Sequence, residues 1–240
     1  MKHVLLLSFL CCSLVARSQK DVGGFLHAAV GLSVPQAEFA TSSADVPASG
    51  YAKNGLAIYG LLGHKIKKGF GLFGMLMLSA NAMDDKAMTR ELERISPAYT
   101  WQKNRSIWTV GGLNFGPHYS FNFERWALDG RLMAGALNFI SPEIKLTGIS
   151  RDGSGSLANI TQFYTKSSSW AWGGGITAKY EFRYGWVLLL NTDYLAGNPK
   201  FTGVRTLTEI PSLGINEEQQ LDYTQKFRML MFTSGVGIVF

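Results

Sequence analysis

The chain has 240 residues, 46% of them hydrophobic, 12% aromatic and only 17% charged, with 27 glycines and a formal net charge of +6. So few charges beside so many aromatics exclude an intrinsically disordered chain, and glycines scattered throughout exclude a coiled coil. The length suits one domain, or at most two small ones, and the composition narrows the class to a secreted β protein or a membrane barrel.

Met1 to Ser18 reads as a removable export leader. Lys2 and His3 form a short basic head, Val4 to Val15 an apolar run of 12 residues, and Ala16-Arg17-Ser18 a small-residue cleavage site. The run falls short of the roughly 20 residues a helix needs to cross a bilayer; the alternative is a buried N-terminal strand. Cys11 and Cys12, the only two cysteines, lie in this segment without the Leu-small-small context of a lipid anchor. A mature chain without them has no thiol chemistry, no disulfide and no Cys-based metal or iron–sulfur site. Removing Lys2 and Arg17 lowers the formal charge from +6 to +4, with no basic run of the kind that binds nucleic acid. The expected division is a leader over 1–18 and a single barrel domain over 19–240.

Beyond the leader no stretch offers the 18 or more apolar residues of a membrane helix. Phe70 to Ala80 is interrupted by Gly71, Gly74 and Ser79. Ser106 to Phe123 carries Gly111, Gly112, Asn114, Gly116, Pro117 and His118. Alternation at period two is what recurs instead. Phe25 to Val34, Gly55 to His64 and Phe70 to Ala80 are strand candidates of unclear parity, because apolar residues occupy both faces. In Ile107 to Phe121, Leu113, Phe115, Pro117, Tyr119 and Phe121 share one face, with Asn114, His118 and Ser120 on the other. Trp126 to Ile140 sets Trp126, Leu128, Leu132, Ala134 and Ala136 against Asp129 and Arg131. Trp170 to Phe182 sets Trp170, Trp172, Ile176, Ala178, Tyr180 and Phe182 against Thr177, Lys179 and Glu181. Trp186 to Ala196 sets Trp186, Leu188, Leu190 and Tyr194 against Asn191 and Asp193. Phe227 to Phe240 ends in an aromatic residue on its apolar face, broken only by Arg228, 12 residues from the end.

Eight strands leave seven joins. The first, third, fifth and seventh are long and polar (about 35–54, 81–105, 141–168 and 197–225); the others are tight (about 65–69, 122–125 and 183–185). This alternation predicts an eight-stranded antiparallel transmembrane β-barrel with four long outer loops and three short periplasmic turns. A ten-stranded barrel follows if the last long join hides a hairpin. A soluble lipocalin-like barrel also alternates, but with its apolar face inward around a ligand. Here the charges share a face with glycines and small polar groups, so the apolar face is expected outside. Trp126, Trp170, Trp172, Tyr180, Phe182, Trp186, Tyr194 and Phe240 then form a lipid-facing aromatic girdle.

Several loose motifs occur in an order that is more specific than any one of them: Gly31-x-Ser33-x-Pro35-x-x-x-Phe39 with Tyr51-Ala52-Lys53-x-Gly55, then Gly116-Pro117-x-Tyr119, Trp126-Ala127-Leu128-Asp129-x-Arg131-x-x-x-Gly135, Ser141-Pro142 and the terminal Phe240. Over about 23–240 the chain resembles the outer-membrane β-barrel family of Bacteroidota, PorT-like and distantly OmpA- and OmpX-like. The resemblance implies an outer-membrane location in a Gram-negative bacterium and little about activity.

An eight-stranded barrel is just wide enough for side chains to fill it. Asn114, His118, Ser120, Asp129, Arg131, Lys179, Glu181, Asn191 and Asp193 are therefore expected as an internal hydrogen-bonded and ion-paired plug. The enzymatic alternative uses His118 and Ser120, which share a strand face, with Asp129 placed opposite His118 by a turn near Phe123–Glu124. Such a trio invites comparison with acyl hydrolases acting on lipid A or phospholipid, but parity puts it inside the barrel, away from lipid. A narrow channel or an accessory of a secretion machine is the third reading.

No metal site or cofactor is expected. His27, His64 and His118 stand apart; Asp84-Asp85 reads as a solvated loop tip, and Asp152-Gly153-Ser154-Gly155 lacks the spacing of a calcium loop. Thr89 to Ser96 reads as one helical turn. Tyr99, Trp101, Phe163, Tyr164, Ile210 and Leu213 in the long joins suggest a lid over the barrel mouth, or contacts with a partner. The expected partners are outer-membrane lipid and lipopolysaccharide, with the barrel-assembly machinery recognising the C-terminal strand, and no nucleic acid.

Overall fold

The computed structural model describes residues 23–46 and 48–240. The leader expected over 1–18, with Cys11 and Cys12, lies outside the described residues. Strands β1 (Gly24–Pro35), β2 (Ala52–Lys67) and β3 (Phe70–Met83) are followed by helix α1 (Asp85–Ile95) and β4 (Tyr99–Lys103). Strands β5 (Ile107–Phe123) and β6 (Trp126–Ile140) are followed by β7 (Ile144–Ser150) and β8 (Leu157–Gln162). Strands β9 (Lys166–Arg183) and β10 (Trp186–Gly197) are followed by β11 (Lys200–Ile210) and β12 (Ile215–Thr224), and β13 (Phe227–Val239) ends the chain. Eight of these close an antiparallel barrel in the order β1-β13-β10-β9-β6-β5-β3-β2, the expected fold.

Walking round the wall through paired residues, from His118 to Arg131, Gly175, Asp193, Met231, Ser33, Gly55 and Asn81, returns to β5 at Trp108, ten residues from the start. That stagger over eight strands tilts them about 40° from the axis, given about 3.3 Å per residue and about 4.8 Å between strands. Two-residue turns join the tight hairpins. Lys68-Gly69 and Tyr184-Gly185 hold both residues at positive φ, the primed geometry that matches strand twist and that glycine accepts without strain.

The long joins are not open loops. Strands β12, β11, β8, β7 and β4 pair in that order as a second, five-stranded sheet at the long-join end. The last join does hide a hairpin, but β11 pairs with β8 and not with the wall, so the barrel stays at eight strands. Helix α1 is longer than the single turn expected over Thr89 to Ser96. It starts where Asp84 Oδ1 accepts from the Ala87 backbone N–H at 3.1 Å, an N-cap that nucleates the extra residues.

At the same end the mouth is stopped by an aromatic plug. Phe39, carried on a short 3-10 turn of the first join, is fully buried. Its ring centroid lies 5.1 Å from that of Phe227 and 5.5 Å from that of Trp108, with Phe139 against Phe227 and Phe201 against Trp108. The Trp108 indole N–H donates to the Gly50 carbonyl at 2.8 Å, tying the join to the wall. The plug therefore comes from the first join and not from the residues expected as a lid. Of those, Trp101 packs inside the outer sheet, its ring over Gly148, and Phe163 lies under Arg205. Tyr164 and Leu213 stay exposed. Phe39→Ala empties the centre of this cluster and is expected to cost about 3–5 kcal/mol, read as a lowered midpoint in urea unfolding of the detergent-solubilised protein.

Candidate functional site

Side chains alternate in and out along every barrel strand. The inward residues of β6, β9, β10 and β13 bring together most of the polar groups. Arg131 grips Asp193 in a forked pair: Nε donates to Oδ1 at 2.9 Å and Nη2 to Oδ2 at 2.6 Å. Arg131 Nη1 also donates to Thr177 Oγ1, and Nη2 reaches the Tyr59 hydroxyl at 3.4 Å. Thr177 Oγ1 donates in turn to Asn191 Oδ1 at 2.7 Å, and Asn191 Nδ2 donates to Thr233 Oγ1 at 3.2 Å. Both charged partners are at most 4% exposed. Gly175 makes room for the carboxylate, since a Cβ there would collide with Asp193 Oδ1.

Nearer the short turns, Lys179 Nζ pairs with Asp129 Oδ2 at 2.5 Å and lies 5.5 Å from the centre of the Phe25 ring. His27 and His118 pack on the same ring, at 4.7 and 5.0 Å between centroids. These rings fit because glycines face them: Gly63 beneath Phe25, Gly71 beneath His118 and Gly237 beneath His27.

The acyl-transfer trio of the enzymatic alternative is not assembled. The turn of the β5–β6 hairpin is Glu124-Arg125, with Phe123 opposite Trp126, one residue later than expected. The register shifts by two, so Asp129 faces Ser120 while His118 faces Arg131. Asp129 is engaged by Lys179. Among the described residues neither ring nitrogen of His118 nor Ser120 Oγ finds a hydrogen-bond partner, so the nucleophile–base bond of such a site is missing. Asn114 is buried in the interior without a partner as well. Glu181 departs from the expected plug: it points inward by parity but is exposed at the rim, accepting from the Gly185 N–H at 2.9 Å. Tyr59 and Thr233 belong to the network and were missed. Tyr59 lies on a strand whose apolar residues on both faces hide its parity, and Thr233 is only a small polar residue on the non-apolar face of β13.

On the outward face, Trp170 and Trp172 with Tyr194 form one aromatic group, and Trp126, Tyr180, Phe182 and Trp186 form the other, beside Phe240 packed over Gly24. Trp172 and Tyr180 are eight residues apart on β9, about 20 Å along the axis at this tilt. Between the groups the outward residues are apolar or small, among them Leu76, Leu113, Leu132 and Leu190, each more than half exposed. No described helix is long and apolar enough to cross a membrane.

Among the described residues no three His, Asp or Glu side chains converge to hold a metal ion. The acidic pair of the third join is engaged by lysines, Asp84 with Lys53 at 3.8 Å and Asp85 with Lys103 at 2.5 Å. Asp152 closes a turn by accepting from Ser154 and Ser150, and these hydrogen bonds hold its carboxyl down at about 2.

No protein-family model matches the chain, and no curated protein matches it in sequence. Solved structures do resemble it in shape. A major outer membrane protein from Thermus thermophilus aligns at a TM-score of 0.49 and 13% identity over 91% of this chain and 99% of that one. Neisserial surface protein A aligns at 0.46 and 9% over 90% and 96%. Ail of Yersinia pestis aligns at 0.39 and 11% over 92% and 98%. All three stay below a TM-score of 0.5, and the chain's own geometry carries the functional reading.

Removing one partner of the internal fork strands the other as a buried charge. Arg131→Leu or Asp193→Leu alone is expected to lower stability by about 3–5 kcal/mol, and the double variant to recover much of that loss. Urea unfolding of all four proteins, followed by tryptophan fluorescence, measures the coupling.

Proposed function

We propose that this chain is an integral outer-membrane protein with a structural or interaction role, its interior filled and its five-stranded lobe outside the cell. One observation carries the reading. The barrel turns large apolar side chains outward all the way round, with an aromatic group towards each end of that face, and keeps its charges inside or at the ends. In water such a surface far exceeds the few hundred Å² of apolar patch that monomers tolerate. In a bilayer it is what a closed sheet must present, because every backbone group is satisfied between strands. The tight turns, with the start of β1 and the end of β13, then face the periplasm, and the lobe faces lipopolysaccharide and whatever approaches the cell. Strand β13, followed by Phe240, is the segment offered to the assembly machinery. The PorT-like likeness of the ordered motifs agrees with this reading.

Fractionation followed by gel mobility with and without boiling tests it. Recovery in the outer membrane with a boiling-dependent shift is expected; recovery as a soluble periplasmic protein with no shift would sink it. A second measurement addresses the lipid face directly. Leu132→Arg, midway along β6, is expected to cost about 2–4 kcal/mol in the membrane, whereas an exposed substitution in a soluble barrel stays within about 0.5 kcal/mol.

A further inference from the structure

A cavity of about 270 Å³ lies between the first join and the outer lobe, beyond the aromatic plug. Tyr51, Trp108, Gln162, Tyr223 and Gln225 line it, with Met88 of α1 on one side. None of its lining side chains carries a charge. Three polar groups reach it unused. Gln225 is 1% exposed, and its amide Nε2 is buried without a hydrogen-bond partner among the described residues. The hydroxyls of Tyr51 and Tyr223 belong to half-buried or buried rings, and neither makes a hydrogen bond with a described residue. Burial pushes both phenols up from their ordinary range, so they remain neutral donors. An orphaned buried amide costs about 1–3 kcal/mol. Each phenol hydroxyl can both donate and accept.

The cavity thus offers aromatic faces, an amide and phenol O–H groups, without a charge. A pyranose ring has the complementary chemistry: an apolar C–H face and a rim of neutral hydroxyls that both donate and accept. At about 30 Å³ per molecule the volume equals that of about nine waters, room for one ring. A charged ligand would find no charged side chain in the lining, which is costly. Beside the cavity Arg94 of α1 bonds Asp45 at 3.0 Å and Glu91 at 3.1 Å, fastening the first join to the helix.

We infer that this cavity binds a single neutral pyranose unit, either a free sugar or the end residue of a glycan. The test uses the full chain in detergent micelles, titrated with D-glucose, D-galactose, D-mannose and N-acetyl-D-glucosamine, with D-glucuronate as the charged control. Tryptophan fluorescence and saturation-transfer NMR read the binding. At least one neutral sugar is expected to saturate in the millimolar range. Gln225→Leu and Tyr223→Phe, each checked for the folded gel mobility, should weaken it about ten-fold and about three-fold. Leu213→Ala, on the exposed lobe surface, should leave it unchanged. A matching disaccharide that binds as well as the monosaccharide identifies a glycan end; one that binds about ten-fold worse identifies a free sugar. The inference is overturned if no neutral sugar saturates up to about 100 mM, well above millimolar affinity. It is equally overturned if glucuronate binds as well, or if both folded variants bind like the parent.

Discussion

The pairing of β1 with β13 holds the rest in place. Eleven paired positions, from Phe25 opposite Val239 to Pro35 opposite Met229, turn a twisted open sheet into a surface without edges. Only a closed sheet has an inside. The forked Arg131–Asp193 pair and the Lys179–Asp129 pair can be dry because the wall surrounds them. In an open sheet the same charges would be half solvated, and the bond between them worth little. The same closure leaves no backbone N–H or C=O unpaired along the wall, so the outward face takes its character from side chains alone.

Much of this was legible in the residues. Strands β5, β6, β9, β10 and β13 alternate cleanly, and the long-short rhythm of the joins gave the strand count and the sidedness. Strands β1 to β3 were harder for a physical reason. Their inward positions include Ala57, Leu61, Phe73, Met75 and Met77, all buried and apolar. There the wall alternates in what surrounds a side chain and not in its polarity, which a period-two reading cannot see. The register of the β5–β6 hairpin turned on one residue. A turn placed one position early moves every cross-strand partner by two, enough to trade Ser120 for His118 opposite Asp129.

The outer lobe was least legible. Ile215–Thr224 is nearly all exposed and carries no apolar face, so nothing in its own sequence distinguishes a strand from a polar loop. Its order comes from its hairpin partner β11, which is held in turn by β8, about 40 residues earlier in the chain. Long joins that pair with one another behave as a folded layer instead of separate mobile loops. Phe39, the residue that stops the mouth, was seen only as part of a motif. Its role depends on Trp108, Phe139 and Phe227 arriving from three different strands.

The closing seam joins the first described strand to the last, about two hundred residues apart in the chain. Contacts that distant form late, after the entropy of the whole intervening loop has been lost. A nascent chain that lacks β13 would carry two bare strand edges into hydrocarbon, each unpaired N–H and C=O there costing several kcal/mol. Insertion one hairpin at a time is therefore uphill at every step except the last. For a barrel destined for the bilayer, as proposed, the chain would therefore arrive with all its strands, kept unclosed on the way, and commit to the membrane in a single cooperative event.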